Sequence, residues 1–349
     1  MDRPIYVTKP SLPSLRDYIP RLEHIWESGV VTNNGPNCIE LQEKVSAVLG
    51  VEEGLDIVSS GTFALLSALR LLRIRGPVIT TPFTFAATTH VLEILGLEVI
   101  FADIDPSSYN LDIDTVSESD LARADCVLPV HCFGRLCEID KIDQIAKAYD
   151  LKIIYDCAHA FGLKHKSKSC LSFGAASALS FHATKVFNCI EGGGVYFSDQ
   201  RLRQSQKLFK NFGITGELNI ECAGLNGKMS ELHAAVGILN LERYEAERMQ
   251  RKRLATLYDQ FFASQCDAIV NCYNGPDANY GYYPVLFKCN KQRETAYQVL
   301  RSSDIYARRY FYPLMSNVPP YIGKQKTFNG DLPIANDVSD RILCLPISR

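Results

Sequence analysis

In the first two hundred residues, short apolar segments alternate with segments whose hydrophobic residues recur with the period of an α-helix. Phe63–Leu72 and Ile139–Tyr149 are typical of the helical segments. This alternation predicts an α/β fold, in which helices cover both faces of a mostly parallel sheet and ligands bind at the carboxyl ends of its strands. The predicted strands are Asp56–Ser59, Val78–Thr81, Val99–Ala102, Cys126–Val130, Lys152–Tyr155, Ala178–Phe181 and Val195–Ser198.

The last third of the chain has a different pattern. Leu232–Arg251 has the hydrophobic period of a long amphipathic helix. The Tyr-rich segment beyond Arg253 contains a further strand candidate, Tyr283–Phe287. We therefore predict a large domain at residues 1–245 and a smaller C-terminal α+β domain at residues 246–349.

The bulk composition narrows the classes of function. Of the 349 residues, 46% are hydrophobic and 22% are charged, as in an ordinary globular protein, and the formal net charge is −2. This charge gives no electrostatic reason to expect a nucleic acid or an anionic membrane as a partner. No apolar run approaches the roughly 18 residues of a membrane-spanning helix. We therefore expect neither a nucleic acid nor a membrane as a partner.

Twelve cysteines raise the question of disulfides or metal sites. No CxxC pair occurs, and no histidine cluster accompanies the closest pairs, Cys132/Cys137 and Cys266/Cys272. Most cysteines lie in apolar runs, where a free thiol behaves as a small hydrophobe. We therefore expect free thiols, no metal and a reducing, cytoplasmic location.

Two charged residues follow predicted strands. Lys185 lies between Ala178–Phe181 and the glycine run Gly192–Gly194, and Asp156 directly follows Lys152–Tyr155. A carboxylate that ends a buried strand needs a cationic or donor partner, because burying it unpaired is costly. A protonated pyridine nitrogen is such a partner. The alternatives are a solvated lysine on a turn and an aspartate that only caps the next segment.

A third strand end supplies small residues. The segment Ser59-Ser60-Gly61-Thr62 joins a strand to an apolar helix. Free N–H groups and the helix dipole at such a start favour a phosphate, although the same residue types also serve in plain N-caps. Phe85 follows another strand end, where it either stacks on a planar ring or packs in the core.

The order and spacing of these motifs resemble those of a known family, the DegT/DnrJ/EryC1 family of pyridoxal-phosphate (PLP)-dependent nucleotide-sugar aminotransferases. The resemblance extends from Ile19 to Leu345. It implies PLP fold type I, the fold of aspartate aminotransferase, with PLP in the large domain and a homodimer that shares its active sites. It rests on four motifs that occur together: Ser59–Thr62, Asp156–Gly162, Ser180–Lys185 and Gly192–Gly194.

The resemblance also implies roles for individual residues. Lys185 matches the lysine that carries the cofactor and moves the proton, Asp156 matches the partner of the pyridine nitrogen, and His159 matches the residue beside the ring hydroxyl. The other implied cofactor ligands are Ser60, Gly61, Thr62 and Ser180 around the phosphate, Phe85 on the ring, and Asn226, which reaches the phosphate of the partner subunit.

Two segments are implied to contact the substrate. Lys228, in the crossing loop Gly224–Met229, lies where relatives more usually have arginine. Arg308 and Tyr310 lie in a segment similar to one that closes the family's active site. Arg308 and Arg309 are candidates for binding a diphosphate or a glutamate carboxylate, and the alternative is a solvated basic turn.

The reaction implied by the resemblance moves an amino group from L-glutamate to C4 of a nucleotide-linked 4-keto-6-deoxy sugar. Relatives with histidine in place of Lys185 are dehydratases, and His159 is usual in C4-aminating relatives. The favoured substrate is dTDP-4-keto-6-deoxyglucose, for a cell-surface polysaccharide such as the O-antigen of lipopolysaccharide. The alternatives are a sugar 3-aminotransferase, an enzyme similar to GDP-perosamine synthase, a PLP-dependent sugar dehydratase and a non-catalytic PLP-binding regulator.

Overall fold

The computed structural model describes residues 4–51, 53–265, 269–272, 278–322 and 332–348. Its α-helices are α1 (Leu15–Ser28), α2 (Pro36–Leu49), α3 (Gly61–Leu71), α4 (Ala86–Ile94), α5 (Glu118–Arg123), α6 (Ile139–Ala148), α7 (Gln200–Phe209), α8 (Glu231–Gln265), α9 (Asn290–Ser302) and α10 (Pro333–Arg341).

The strands are β1 (Ile5–Tyr6), β2 (Leu55–Val58), β3 (Val78–Thr80), β4 (Val99–Phe101), β5 (Cys126–Val127), β6 (Lys152–Asp156), β7 (Lys164–His165), β8 (Lys168–Ser169), β9 (Ala176–Ser180), β10 (Gly193–Phe197), β11 (Ile214–Gly216), β12 (Asn219–Ile220), β13 (Ile269–Cys272), β14 (Tyr283–Phe287), β15 (Ile305–Tyr306) and β16 (Ile342–Leu345).

The central sheet contains seven strands in the order β2-β10-β9-β6-β5-β3-β4. From β9 to β4 the neighbours are parallel, whereas β10 is antiparallel to both β2 and β9. All seven strands overlap the segments predicted from the sequence, with small shifts at their ends. The predicted α/β fold with a mostly parallel sheet is therefore confirmed.

Successive residues of these strands enter two different hydrophobic clusters, one on each face of the sheet. In β6, for example, Ile153 packs in the cluster that contains residues of α2, α6 and α8, while Ile154 packs in the cluster that contains residues of α3, α4 and α7. Both faces are therefore covered, which explains why the strands read as nearly continuous apolar runs.

Helix α8 is longer than the predicted Leu232–Arg251. The carboxylate of its first residue, Glu231, is buried and accepts the backbone N–H groups of Asn37 at 2.7 Å and Cys38 at 3.0 Å. Because Gly35 at the N-cap of α2 has no side chain, Glu231 supplies the cap from a distant part of the chain.

The predicted domain boundary after residue 245 falls within α8 and stays a prediction.

The C-terminal region contains the antiparallel sheet β13-β14-β16 together with α9 and α10. Its strand β14 has the predicted bounds. The buried carboxylate of Asp103, beyond β4, accepts the N–H groups of Ile334 at 2.9 Å and Ala335 at 2.7 Å, so the start of α10 is attached to the large sheet.

Within the described ranges, no helix is both long and apolar enough to cross a membrane.

A buried ion pair fixes the edge of the central sheet. The Nζ atom of Lys210, which follows α7, lies 2.6 Å from Oδ1 of Asp56 on β2. The carbonyl of Lys210 accepts the N–H of Gly227 at 2.9 Å, and the carbonyl of Gly227 accepts the N–H of Ser59 at 2.8 Å. The loop that contains Asn226 is thereby attached to β2.

The Lys210→Met variant should lose about 3–5 kcal/mol of unfolding free energy, because Asp56 would stay buried without its counter-charge. Urea denaturation measures the loss. The matched control is Lys207→Met, at an exposed site in the last turn of α7, which should change stability by less than about 0.5 kcal/mol. The double variant Lys210→Met/Asp56→Leu should recover most of the loss. Equal stability of Lys210→Met and the control would contradict the importance of the pair.

Candidate active site

A cavity of about 320 Å³ lies at the carboxyl ends of β6 and β9, beside the start of α3. This is the edge at which open parallel sheets bind their ligands. Residues that are far apart in the sequence meet there. Ten of the residues predicted from the sequence line it: Ser60, Gly61, Thr62, Phe85, Asp156, His159, Ser180, Lys185, Arg308 and Tyr310.

Asp156 is the last residue of β6 and is only 4% exposed. Its Oδ1 accepts the N–H of Ala158 at 3.0 Å, and its Oδ2 accepts the hydroxyl of Thr88 at 2.8 Å. Thr88 also shares a 2.7 Å hydrogen bond with Thr84. Burial raises the pKa of Asp156, and the two donors and the charge of Lys185 offset this only in part. The carboxylate is thus suited to a cationic ligand.

Lys185 is half-buried in the loop between β9 and β10. Its Nζ donates a hydrogen bond to Oη of Tyr282 at 3.3 Å. Burial lowers the pKa of Lys185 to about 8; Asp156 opposes this shift and Arg308 adds to it. Near neutral pH the reactive, uncharged amine is therefore far more populated than in an ordinary lysine.

His159 is buried and held at both its ring and its backbone. Its Nδ1 accepts the N–H of Phe133 at 3.2 Å, and its carbonyl accepts the side-chain amide of Asn279 at 2.8 Å. Burial, with Lys185 and Arg308 nearby, lowers the pKa of His159 well below its usual range. The ring is therefore neutral, and its proton lies on Nε2 because Nδ1 is an acceptor.

The start of α3 lies very close to the neighbouring strands. Ser60 caps the helix by accepting the N–H of Phe63 at 3.1 Å. A Cβ on Gly61 would lie 2.8 Å from Cβ of Ser180, and a Cβ on Gly193 would lie 2.5 Å from the carbonyl carbon of Ser60. Only glycine fits these two positions. The N–H groups of the first helical turn have no partner inside the helix, so this start is suited to an anion.

The predicted ring-stacking and substrate residues lie at the same cavity. Phe85 precedes α4 and is 59% exposed, so it is not a core residue. The guanidinium of the exposed Arg308 lies 4.8 Å from the ring centre of the buried Tyr310. This contact holds a positive charge at the cavity, where a carboxylate or a diphosphate would need it.

Asn226 and Lys228 do not line this cavity. The Nζ of Lys228 donates to Oδ1 of the exposed Asn226 at 2.9 Å and lies 5.3 Å from the ring centre of Phe212. These two residues therefore lie outside the cavity of this chain.

The residues of the site that were not predicted from the sequence include Thr88, Asn279 and Tyr282. Thr88 had a local signal, since it lies in the first turn of α4, directly after the segment that contains Phe85. Asn279 and Tyr282 come from the C-terminal region and belong to no motif, so only the folded contacts reveal them.

The fold also assembles a cluster that residue spacing did not predict. His131, Cys157 and Cys170 are buried, with one nitrogen or sulfur atom from each within 4.8 Å of the others. Nδ1 of His131 accepts the N–H of Cys137 at 3.0 Å, so the neutral ring carries a proton on Nε2 and has no free lone pair for a metal. Burial also raises the pKa of the Cys157 thiol well above its usual range. We interpret the cluster as core packing.

The residues of the cavity fit PLP. The buried carboxylate of Asp156 suits a protonated pyridine nitrogen, the start of α3 suits a phosphate, and Lys185 offers an amine of lowered pKa to an aldehyde. The sheet and this pair of charged residues define the class of PLP enzymes with the aspartate aminotransferase fold.

Within that class, the chain belongs to the DegT/DnrJ/EryC1/StrS aminotransferase family, whose model matches residues 16–349. The dTDP-4-amino-4,6-dideoxy-D-glucose transaminase of Escherichia coli is 40% identical, over 99% of this chain and 94% of that protein. The protein of the same name from Shigella dysenteriae is 38% identical, over 99% of this chain and 95% of its own. The crystal structure of DesI in the presence of its TDP-sugar product matches with a TM-score of 0.92 at 30% identity, covering 100% of this chain and 89% of DesI.

These similarities confirm three predictions made from the sequence. They are membership of the family, PLP fold type I, and activity as a PLP-dependent sugar aminotransferase. Aminotransferases of this family are PLP-dependent in general. The roles of individual site residues stay predictions, and the geometry gives a physical basis to the roles of the ten residues that line the cavity.

The Asp156→Asn variant, freed of cofactor, should be more stable than the wild type at neutral pH by about 1 kcal/mol. The amide keeps the shape of the side chain without the buried charge, and Thr88 is able to accept from it while donating to Thr84. Because the pKa of Asp156 is raised in the folded state, the wild type gains stability as the pH falls, so the difference should shrink in acid. Urea denaturation at neutral and acidic pH measures both effects.

The matched control is Asp340→Asn, which neutralises an exposed carboxylate and should change stability by less than about 0.5 kcal/mol. A wild type that is more stable than Asp156→Asn at neutral pH would show that the carboxylate is satisfied without a ligand.

Proposed function

We propose that this chain transfers the amino group of L-glutamate to C4 of dTDP-4-keto-6-deoxyglucose, which yields 2-oxoglutarate and dTDP-4-amino-4,6-dideoxyglucose. The proposal rests on one observation above all. Lys185 and Asp156 meet at a single cavity, in a chain that is 40% identical to a transaminase named for that product.

Asp156 would bind the pyridine nitrogen of PLP, and Ser180 and the start of α3 would bind its phosphate. Phe85 and His159 would contact the ring. When bound, the cofactor supplies an electron sink that makes the Cα–H group of an amino acid acidic. Asp156 keeps the proton on the pyridine nitrogen, because a carboxylate binds a protonated nitrogen more strongly than a neutral acceptor does.

Lys185 would carry the cofactor and, once the amino donor has displaced it, move the proton. Its lowered pKa raises the uncharged fraction of the freed Nζ, and in that form it takes the proton from Cα of glutamate. In the second half-reaction, the same amine returns a proton to C4 of the sugar. Both half-reactions therefore depend on one side chain that alternates between two protonation states.

Arg308 and Tyr310 would contact the anionic parts of the two substrates. A guanidinium binds either a glutamate carboxylate or a sugar-nucleotide diphosphate through paired N–H groups. The TDP-sugar product of DesI supports a dTDP-linked ketone. The presence of Lys185 disfavours a dehydratase, and His159 is the residue usual in C4-aminating relatives.

The product suits the synthesis of a cell-surface polysaccharide such as an O-antigen. We infer a cytoplasmic location, because the cysteines whose side chains the structure describes are free thiols, as expected in a reducing compartment.

Wild-type protein supplied with PLP, L-glutamate and dTDP-4-keto-6-deoxyglucose should form 2-oxoglutarate and an amino sugar in equal amounts, with nitrogen at C4 by NMR. The Lys185→Ala variant should lose the visible absorbance of bound PLP and about 10²- to 10⁴-fold in rate. The matched control is Lys164→Ala, an exposed lysine in β7, which should keep both.

Each alternative function predicts a different product. Nitrogen at C3 would identify a 3-aminotransferase, loss of water without 2-oxoglutarate would identify a dehydratase, and turnover of the GDP sugar alone would identify an enzyme of the perosamine type. Unchanged PLP absorbance and turnover in Lys185→Ala would refute the attachment site.

We further propose that the enzyme is a homodimer with shared active sites. Asn226 does not line the cavity of its own chain, and the adjoining hairpin β11–β12 exposes Leu218 at 98% and Ile220 at 69%. Exposed apolar side chains beside a polar loop are typical of a subunit interface. In the dimer, Asn226 would bind the phosphate in the partner's site, and Lys228 would lie near the substrate there.

A mixture of two inactive variants, Lys185→Ala and Asn226→Asp, should recover activity once the subunits exchange. In a two-fold dimer each hybrid has one doubly damaged site and one intact site, so random pairing restores roughly a quarter of wild-type activity. Aspartate is chosen because its charge repels the phosphate. If Asn226→Asp is inactive alone and the exchanged mixture also stays inactive, Asn226 acts within its own subunit.

A further inference from the structure

Tyr282 brings a hydroxyl from the C-terminal region into contact with the reactive lysine. It lies just before β14 and is only 4% exposed. Its Oη accepts the hydrogen bond from Nζ of Lys185 at 3.3 Å. Neither the motifs of the sequence nor the mechanism described above assigns this residue a part.

Neighbouring rings fix the position of this hydroxyl. The ring of Tyr282 lies 4.3 Å from the ring of His159, 5.0 Å from that of Tyr310 and 5.8 Å from that of Phe133, measured between centroids. Close packing of this kind leaves one orientation for the side chain. Oη is therefore a fixed point, whereas Lys185 has a long side chain with several rotatable bonds.

The charged groups around Lys185 act on it in opposite directions. Asp156 favours its ammonium form, and Arg308 favours the neutral amine. Burial raises the pKa of Tyr282 well above its usual range, so its hydroxyl stays uncharged. A neutral hydroxyl accepts a bond from an ammonium and donates one to an amine, which no carboxylate or guanidinium does. The titratable or charged side chains that face Lys185 or line the same cavity are Asp156, His159, His182, Glu191, Tyr282, Arg308 and Tyr310.

We propose that Tyr282 is a positioning residue that holds Nζ of Lys185 in place in both protonation states whenever the lysine is not bonded to the cofactor. This inference rests on the proposed function, in which Lys185 is released and bonded again in every half-reaction. The hydrogen bond to Tyr282 confines the free amine of Lys185 to one place, beside Asp156 and His159.

Removal of the hydroxyl changes the proton affinity of Lys185 in a defined direction. The hydrogen bond from the charged ammonium is stronger than the one that the neutral amine makes. Loss of Oη therefore destabilises the ammonium more than the amine. The pKa of Lys185 should fall in Tyr282→Phe, by about half a unit to one unit.

The test follows capture of PLP by the full-length protein freed of cofactor, measured as the rate at which the visible absorbance of bound PLP appears at each pH. In the wild type, capture should rise through a midpoint near 8, as the neutral amine of Lys185 forms. In Tyr282→Phe the midpoint should move down by about half a unit to one unit, and the limiting rate should fall roughly three- to tenfold. In the holoenzyme, kcat should fall while KM for the sugar nucleotide stays nearly unchanged.

The matched control is Tyr155→Phe, which removes another buried hydroxyl, one with no hydrogen-bond partner among the described residues. Its capture midpoint and rate should equal those of the wild type. An unchanged midpoint in Tyr282→Phe, with the melting temperature preserved, overturns the proposal. Lys185→Ala separates this result from a failure of the proposed function, because PLP capture of wild-type rate in that variant would show that another residue bonds the cofactor.

Discussion

A carboxylate held away from water at the end of β6 is the constraint on which the rest of the site depends. Burial makes the charge of Asp156 unfavourable, and two neutral donors from Ala158 and Thr88 compensate for it only in part. The surrounding sheet therefore has to be stable enough to keep an unfavourable group in position. A ligand with a protonated ring nitrogen relieves this cost, so cofactor affinity and the geometry of catalysis have the same physical origin.

The same burial acts on Lys185 in the opposite sense. Desolvation disfavours whichever form is charged, so it raises the pKa of the carboxylic acid and lowers that of the amine. Burial in one cavity thereby produces an acceptor suited to a cation and a base whose uncharged form is more populated near neutral pH than that of an ordinary lysine. His159 follows the same rule and stays neutral. Burial alone therefore accounts for the direction of the pKa shift in all three groups.

The sequence predicts the elements of this fold better than their arrangement. Strands such as β6 and β14 are apolar runs bounded by polar or turn residues, so local pattern suffices to locate them. The end of α8 was missed, because the charged run at residues 251–253 interrupts the apolar face of the helix, which Leu254, Tyr258 and Phe262 then continue. The sequence also did not predict that β10 lies antiparallel between β2 and β9, because strand pairing joins segments that are distant in sequence.

The candidate site divides in the same way. Asp156 and Ser60–Thr62 follow strands and Lys185 belongs to a recognisable motif, so the sequence identified them. Tyr282 and Asn279 reach the site only through the packing of the C-terminal region against the large sheet, and no local signal marks them. Their contribution is to hold Lys185 and His159 in place, and only the folded chain shows such a contribution.

The place of β10 in the sheet has a consequence for synthesis on the ribosome. Strand β2 is at the edge of the central sheet and pairs with β10, so its partner emerges only after all the parallel strands of that sheet have been made. Until then, the nascent chain carries an apolar strand without its neighbour, a state open to aggregation. The lysine loop lies between β9 and β10, and Tyr282 emerges later still. We therefore expect the cofactor to bind near the end of folding, after the sheet has formed.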